Sequence, residues 1–503
     1  MGKRTIIMTM SGWTSIHFLV VVGFVLLFLK EANSVSNTVS SMDEGEDPSV
    51  REVTNLNLTF RGDYQRARVQ AHKKVVVCYV ATWATYRKPD EGAFDIDHIE
   101  PNLCTHLIYS FAGLDNTTFI MKPLDPWLDQ KLQENGGGRE WFKRFNDFKA
   151  KYPHLKVLLA IGGWNEGSKK YSQMAGNSQN RQVFIQSALD LIQRYGFDGL
   201  DLDWEFPADR GGSMDDKRQF TILVQELRHK FDKYGLMLTS AFGPALSTAT
   251  KGYELRELAG LLDHIHLMCY DYHGAWDRKT GHNAPLYAPK GDGSIAESVD
   301  YYLAQGVPPH KLVIGLPFYG RTFIIPDEGQ LGDALSSSTG RNASVRAGLF
   351  QGAMDKGFQG PYTKEDGFLG YNEICRELTA SRGDWTTYWD DVAKVPYMRN
   401  GNKWVSFDNP DSIREKVKYI TQKKLRGAMI WSIDTDDFRS TCGIKNALLR
   451  TVNFALYQNV MPGDDVIPST PGRGPLRPTA GASGLQISVV LGLIAATVLY
   501  FLG

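Results

Sequence analysis

From position 74 onward, short apolar runs alternate with segments whose apolar residues recur every three or four positions. The runs at 75–83, 106–113, 157–163, 199–206, 237–242, 264–272, 312–319 and 428–433 predict strands. The segments at 140–151, 181–195, 217–234, 253–262, 295–305, 413–422 and 444–455 predict amphipathic helices. Residues 98–102 supply only a short connection after the first strand. Eight alternations argue for an α/β fold, a (β/α)8 TIM barrel whose active site lies at the C-terminal strand ends. A doubly wound sheet shares the alternation, but no glycine-rich phosphate fingerprint follows the first strand.

The alternation is interrupted once. Between strands 7 and 8, residues 322–403 are rich in Gly, Tyr and Trp with little helical period, which predicts an inserted α+β domain at the rim. Such a lobe would deepen a cleft. The barrel then occupies 73–458, with expected linkers on either side: a polar stretch at 35–72 and a Pro/Gly/Ser-rich one at 459–484. No internal repeat is evident.

Two further apolar runs lie outside the linkers. The first, at 18–29, follows Lys3 and Arg4 and precedes Ala32 and Ser34, the outline of a secretory signal over 1–34. It is too short to span a bilayer by itself, although Ile6, Ile7 and Met8 extend it and leave an uncleaved anchor as the alternative. The second, at 485–502, follows Ala482-Ser483-Gly484 and has no basic cluster after it. Residues 485–503 therefore read as a glycosylphosphatidylinositol signal, with a plain transmembrane tail as the alternative. Both runs point to the secretory pathway and an extracellular, membrane-anchored protein.

Composition removes some classes. Lys plus Arg equals Asp plus Glu, 56 each, so charge gives no reason to expect nucleic acid. The 42% hydrophobic content over 503 residues is ample for a large core. Aromatics are plentiful, 11 Trp and 22 Tyr; most would be core, but these are also the side chains that stack on sugar rings. On a secretory route the sequons at Asn57, Asn116 and Asn342 become glycosylation candidates. Five cysteines cannot pair completely, and their spacing does not choose the pairs.

The chemistry gathers in Phe197-Asp198-Gly199-Leu200-Asp201-Leu202-Asp203-Trp204-Glu205-Phe206-Pro207. Read as a strand, it puts Asp201, Asp203 and Glu205 on one face, neighbours roughly 7 Å apart, and Leu200, Leu202, Trp204 and Phe206 on the other. A helix also fits Asp198, Asp201 and Glu205, but it scatters the apolar residues and must tolerate Gly199. Three carboxylates facing inward are costly unless they share protons, and crowding of this kind produces a proton donor near neutral pH. Glu205, at the end of the strand, is the candidate acid. Asp198 has the opposite parity and is expected to support the site structurally.

Asp198-x-x-Asp201-x-Asp203-x-Glu205 resembles the signature of glycoside hydrolase family 18, the chitinases and chitinase-like lectins. The resemblance runs over 75–454. Tyr79 and Trp83 stand where the family has sugar-contacting aromatics on the first strand. Ser110-Phe111-Ala112 and Ile161-Gly162-Gly163-Trp164 are similar to the second- and third-strand motifs. Ala241 resembles the small residue that leaves room for an acetamido group. Met268-Cys269-Tyr270-Asp271-Tyr272-His273-Gly274-Ala275-Trp276 is similar to the sixth-strand motif, Tyr319-Gly320-Arg321 to the seventh and Met429-Ile430-Trp431-Ser432 to the eighth. Strand parity would turn Asp271 away from Tyr270, so its place in the site is implied by the resemblance alone. Phe206 replaces a common Tyr, a change expected to matter little on an outward-packing residue.

The resemblance implies an endo-acting chitinase that hydrolyses β-1,4 links between N-acetylglucosamine units by a substrate-assisted, retaining mechanism. Glu205 would protonate the leaving oxygen. Asp203 would orient the acetamido group and share a proton with Asp201, Tyr270 would hydrogen-bond the acetamido oxygen, and Trp431 would form the floor under the sugar. Pairs Cys78–Cys104 and Cys375–Cys442 are implied, leaving Cys269 free and buried. The scheme needs no metal or organic cofactor, takes chitin or chito-oligosaccharide as its partner, and is expected of a monomer. The rivals are an oligosaccharide-binding lectin that has lost the acid, which Glu205 argues against, and an endo-N-acetylglucosaminidase acting on N-glycans.

Overall fold

Eight parallel strands close on themselves: Val75–Ala81, His106–Leu114, Lys156–Gly162, Gly199–Asp203, Met237–Phe242, His264–Leu267, Leu312–Pro317 and Gly427–Trp431. The computed structural model describes residues 50–52, 72–131, 137–326, 349–380 and 384–459. Each of the eight strands pairs with the next in sequence, and the last pairs with the first. This is the predicted barrel. Five strands are shorter than predicted: the first yields to a 3₁₀ turn at Thr82–Tyr86, the fourth stops at Asp203, the sixth at Leu267, the seventh at Pro317 and the eighth at Trp431. The chain thus leaves sheet geometry just where the candidate site residues begin.

Alternation divides the core in two. Val76, Cys78, Val80, Leu200, Leu202 and Trp204 face the helices, while Val75, Val77, Tyr79, Ile108, Leu158 and Ala160 fill the barrel. Deeper inside, the rings of His106 and His264 lie 5.1 Å apart. Burial pushes His106 down to about 3 and His264 well below its ordinary value, so both serve as neutral filler at physiological pH.

The helices fall close to their predicted places, with ends set by local chemistry. Ser178–Tyr195 starts where the Asn177 side chain accepts the N–H groups of Gln179 and Asn180, and it stops at left-handed Gly196. Pro410–Gln422 begins with Pro in its first turn behind the Asn409 cap. The first connection holds only 3₁₀ turns, at Asp90–Gly92, Ile96–His98 and Pro101–Leu103.

Between the seventh and eighth strands stands the lobe. It spans Tyr319 to Ser406 rather than 322–403, and comprises strands Tyr319–Ile324, Phe368–Gly370, Thr386–Asp390, Val395–Asn400 and Lys403–Ser406 with helix Tyr371–Ala380. Val50–Glu52 adds a sixth antiparallel strand against Thr386–Asp390. That segment lies in the stretch predicted as a linker at 35–72, and the correction has a simple cause. An edge strand offers unpaired N–H and C=O groups that a polar, extended segment can satisfy without an apolar period of its own.

Disulfides join Cys78 to Cys104 and Cys375 to Cys442, and Cys269 is buried without a bridge. The second bridge ties the lobe helix to the segment after the eighth strand. Replacing Cys375 and Cys442 together by Ser should lower the unfolding free energy by about 2–4 kcal/mol, read from denaturant titrations without reductant. The same two sulfurs lie near Asp437 in a group of metal-ligand type, but the disulfide occupies them.

Asn116 is exposed, on the turn after the second strand. Asn57, Asn342, the segments at 1–34 and 485–503 and the stretch at 460–484 lie outside the described residues. Among the described residues no helix is long and apolar enough to cross a membrane.

Candidate active site

The fourth strand sends Asp201 and Asp203 into the barrel while Leu200 and Leu202 pack outward, as its alternation predicts. Asp201 is the lower of the two and is fully engaged. It accepts the Tyr79 hydroxyl at 2.6 Å and the Thr239 hydroxyl at 2.5 Å. His266 Nδ1 lies 3.3 Å from the same carboxylate and 2.8 Å from the Tyr79 oxygen. Asp203 is the opposite case: it is buried, and its Oδ1 has no hydrogen-bond partner among the described residues. Burial, with the charges of Glu205 and Asp201 added, pushes its carboxyl well above the usual range. Glu205 sits two residues on, at the mouth, half-buried. Burial pushes it up to about 7, against the opposing effect of Arg210 and with a further push from Asp271. The column therefore stores a proton within reach of solvent at neutral pH.

The third strand makes room for this column. Gly162 and Gly163 adopt φ of 120° and 85°. A Cβ at Gly162 would come within 2.0 Å of the Asp203 carbonyl oxygen, and the Gly163 N–H donates to that oxygen at 2.8 Å. Only glycine permits the backbone approach that anchors Asp203.

In the sixth-strand segment parity misleads: it would turn Asp271 away from Tyr270, yet the Asp271 carboxylate accepts the Tyr319 hydroxyl and the Arg321 Nε–H, both at 2.7 Å. The strand ends at Leu267, and Asp271 takes a left-handed φ of 58° with its N–H donated to Asn283 Oδ1. Sheet parity has no force beyond the last strand residue. Tyr270 also turns inward, its ring 5.9 Å from that of Tyr319 and its hydroxyl 3.9 Å from the Met429 sulfur. Ala241 and Met268 join Tyr79, Phe111, Tyr270 and Tyr319 on the inner face.

Two more expectations fail for positional reasons. Asp198 does not support the site: it precedes the fourth strand, at the end opposite Glu205. There it accepts the Val157 N–H at 2.8 Å and Lys149 Nζ at 3.1 Å, tying the bottoms of two strands together. Phe206 does not pack outward; it lies against the inner cluster, past the strand end, while its carbonyl accepts the Ser168 hydroxyl. Trp204 does pack outward, its Nε1–H donated to the same Ser168 oxygen.

Aromatic rings pave the mouth. Trp431 is stacked near Phe111 at 5.8 Å, with Tyr79 and Trp83 at 5.7 and 6.3 Å. Trp276 lies under the Arg321 guanidinium at 5.0 Å. Trp83, Trp164 and Trp276 are 48, 60 and 54% exposed, large apolar faces left to solvent around one cleft. Asp198 apart, the catalytic and sugar-contacting candidates named from the sequence thus gather at or just inside one mouth of the barrel.

Four participants were missed. Thr239 and His266 share inward parity with Ala241 and Met268, so alternation could have found them, though an inward His is ordinarily plain core. Arg210 and Asn283 gave no local signal. Asn283 bridges the Asp271 N–H, the Tyr319 carbonyl and, through its own N–H, the Ser406 hydroxyl.

The proton on Glu205 fixes a sign for pH. A carboxyl raised to about 7 is a competent acid below that value and loses the proton as pH rises through it. On cleavable substrate, kcat/KM should fall on the alkaline side with a limb near pH 7. A limb at the ordinary carboxylate pKa would contradict the assignment.

Comparison with known proteins places the chain in a family. The sequence profile of the glycosyl hydrolases of family 18 matches residues 75–436. The probable chitinase 2 of Drosophila melanogaster is 47% identical over 379 residues, 74% of this chain and 74% of that protein. The crystal structure of the Group IV chitinase of Ostrinia furnacalis with allosamidin aligns with a TM-score of 0.69 at 44% identity, covering 77% of this chain and 100% of that one. Human YKL-39, a pseudo-chitinase with retained chitooligosaccharide binding properties, aligns with a TM-score of 0.65 at 32% identity, covering 76% and 99%.

Proposed function

Because the chain belongs to the glycosyl hydrolases of family 18, we propose that it is an endo-acting chitinase, cleaving β-1,4 links between N-acetylglucosamine units with retention of configuration. The observation that supports this best is the column itself. Glu205, its carboxyl pushed up to about 7, stands over an Asp203 whose buried Oδ1 lacks a donor among the described residues, near the inward ring of Tyr270. An unpaired buried acceptor is costly, and a substrate amide N–H is the donor it suits.

On this reading Glu205 protonates the glycosidic oxygen as the bond breaks. Asp203 takes the acetamido N–H, and Tyr270 donates to the acetamido oxygen as that oxygen closes on the anomeric carbon. Asp201, held by Tyr79, Thr239 and His266, supplies a fixed charge that keeps a proton within the column. Trp431, with Phe111 beside it, is the floor under the sugar, and Trp83, Trp164 and Trp276 offer stacking faces along the cleft. Asp271, from the sixth-strand segment, joins Tyr319 and Arg321 of the lobe in a polar wall.

The test is incubation of the protein with chito-oligosaccharides, followed by mass analysis of the products with time. Internal cleavage supports the reading. Binding without products would favour the lectin, and release of intact N-glycans from glycoprotein, with chito-oligomers left whole, would favour the endo-N-acetylglucosaminidase.

A further inference from the structure

Arg210 stands five residues beyond Glu205 and belongs to none of the motifs read from the sequence. Its guanidinium donates to the Glu205 carbonyl at 2.9 Å and to the Trp164 carbonyl at 2.9 Å. The guanidinium carbon lies 3.5 Å from the centroid of the Trp164 indole, close enough for a face-on cation–π contact. The turn that delivers it is unusual. Ala208 and Arg210 both take left-handed φ, 63° and 50°, and Asp216 holds the turn by accepting the N–H groups of Ala208 and Ser213. A non-glycine pair in this region is strained and persists only where its surroundings fix it.

We infer that Arg210 is a positioning residue for cleavage, clamping the turn that bears Glu205 to the rim tryptophan Trp164. The inference rests on the proposed reading of the site as a glycan hydrolase. Its consequences are two. First, Arg210 covers one face of an indole that is still 60% exposed, so the remaining exposure belongs to its other face and edge, held in fixed relation to the acid. Second, Arg210 is the cation among the groups that act on Glu205. The others are Asp203 beneath it, Asp271 and Tyr270 from the sixth-strand segment, and Tyr253 behind. A nearby positive charge favours the carboxylate, so losing it lets Glu205 keep its proton to higher pH.

Charge and stacking can be separated by two substitutions. Arg210→Gln removes the charge and retains one amide donor; its alkaline limb of kcat/KM should move up by about half a pH unit or more. Arg210→Lys keeps the charge and loses the planar fork; its limb should stay in place. In both variants KM for long chito-oligomers should rise about three- to tenfold, and Trp164→Ala should reproduce the KM effect without the shift in pH. The clamp is overturned if both limbs and both KM values match the wild type. It is equally overturned if both variants lose kcat uniformly at every pH together with thermal stability, the mark of a merely structural residue. Should the wild type cleave no chito-oligomer, the proposed function fails, and acrylamide quenching of tryptophan fluorescence still decides the clamp. The Trp164 contribution, taken as the difference from a Trp164→Phe background, should be quenched more strongly in Arg210→Gln than in wild type; equal quenching overturns it.

Discussion

Turnover of Glu205→Gln should be lower than wild type by at least about 10²–10⁴, while its affinity for chito-oligosaccharides stays within a few-fold. The amide preserves the volume and planarity of the carboxyl and deletes only the transferable proton. Nothing else in the column can take over. Asp203 is buried beneath, and Asp201 is committed to Tyr79, Thr239 and His266. Asp271 reaches the field of Glu205 but is held by Tyr319 and Arg321. The substitution also removes a charge that helps to hold the Asp203 carboxyl high, so Asp203 should ionise more readily in the variant. Calorimetric titration with an oligomer, set beside single-turnover rates, separates the two effects. Near-normal turnover would mean that another group is the acid.

Why some of this could be read in advance and some could not follows from how far each signal reaches along the chain. The alternation through Gly199–Asp203 is a local property of a strand, so the inward Asp201 and Asp203 and outward Leu200 and Leu202 needed no knowledge of the rest. Phe206 was misplaced, and the parity of Asp271 misled, for one reason. Both lie past the hydrogen-bonded end of a strand, at Asp203 and Leu267, where orientation is set by loop conformation and by distant partners such as Asn283. Asp198 carries the right residue type at the wrong end of its strand. Val50–Glu52 was hidden because an edge strand is defined by its partner, Thr386–Asp390, more than three hundred residues away. Arg210 was hidden because its role depends on Trp164, which only the closing of the barrel brings beside it. The glycines at 162 and 163 are the converse: the sequence showed them, and the Asp203 backbone against Gly162 and the Phe111 ring against Gly163 explain them.

Oligomers stripped of their N-acetyl groups should bind weakly and remain uncut, whereas acetylated oligomers should first release products of β configuration. A retaining site with two carboxylates needs its second one across the sugar ring from the acid, free to attack carbon. The structure offers poor candidates. Asp203 ends the strand that Glu205 follows by two residues, buried below it and more basic than usual, which suits it to grip an amide N–H. Asp271 comes from a neighbouring segment, but its Oδ1 already takes both the Tyr319 hydroxyl and the Arg321 N–H, an arrangement that spreads its charge into an ion pair. The nucleophile is then best supplied by the substrate's acetamido oxygen, with Asp203 and Tyr270 holding the amide at its two ends. Internal nucleophiles of good geometry act at effective molarities of about 10⁵–10⁸ M, so removing the acetyl group should forfeit nearly all turnover rather than a modest fraction. Time-resolved proton NMR of fresh products reads the anomeric configuration before mutarotation blurs it, and the same tubes compare acetylated with deacetylated substrate. Initial α product, or equal rates on the two substrates, would overturn substrate assistance while leaving Glu205 as the acid, because protonation of the leaving oxygen is common to both schemes.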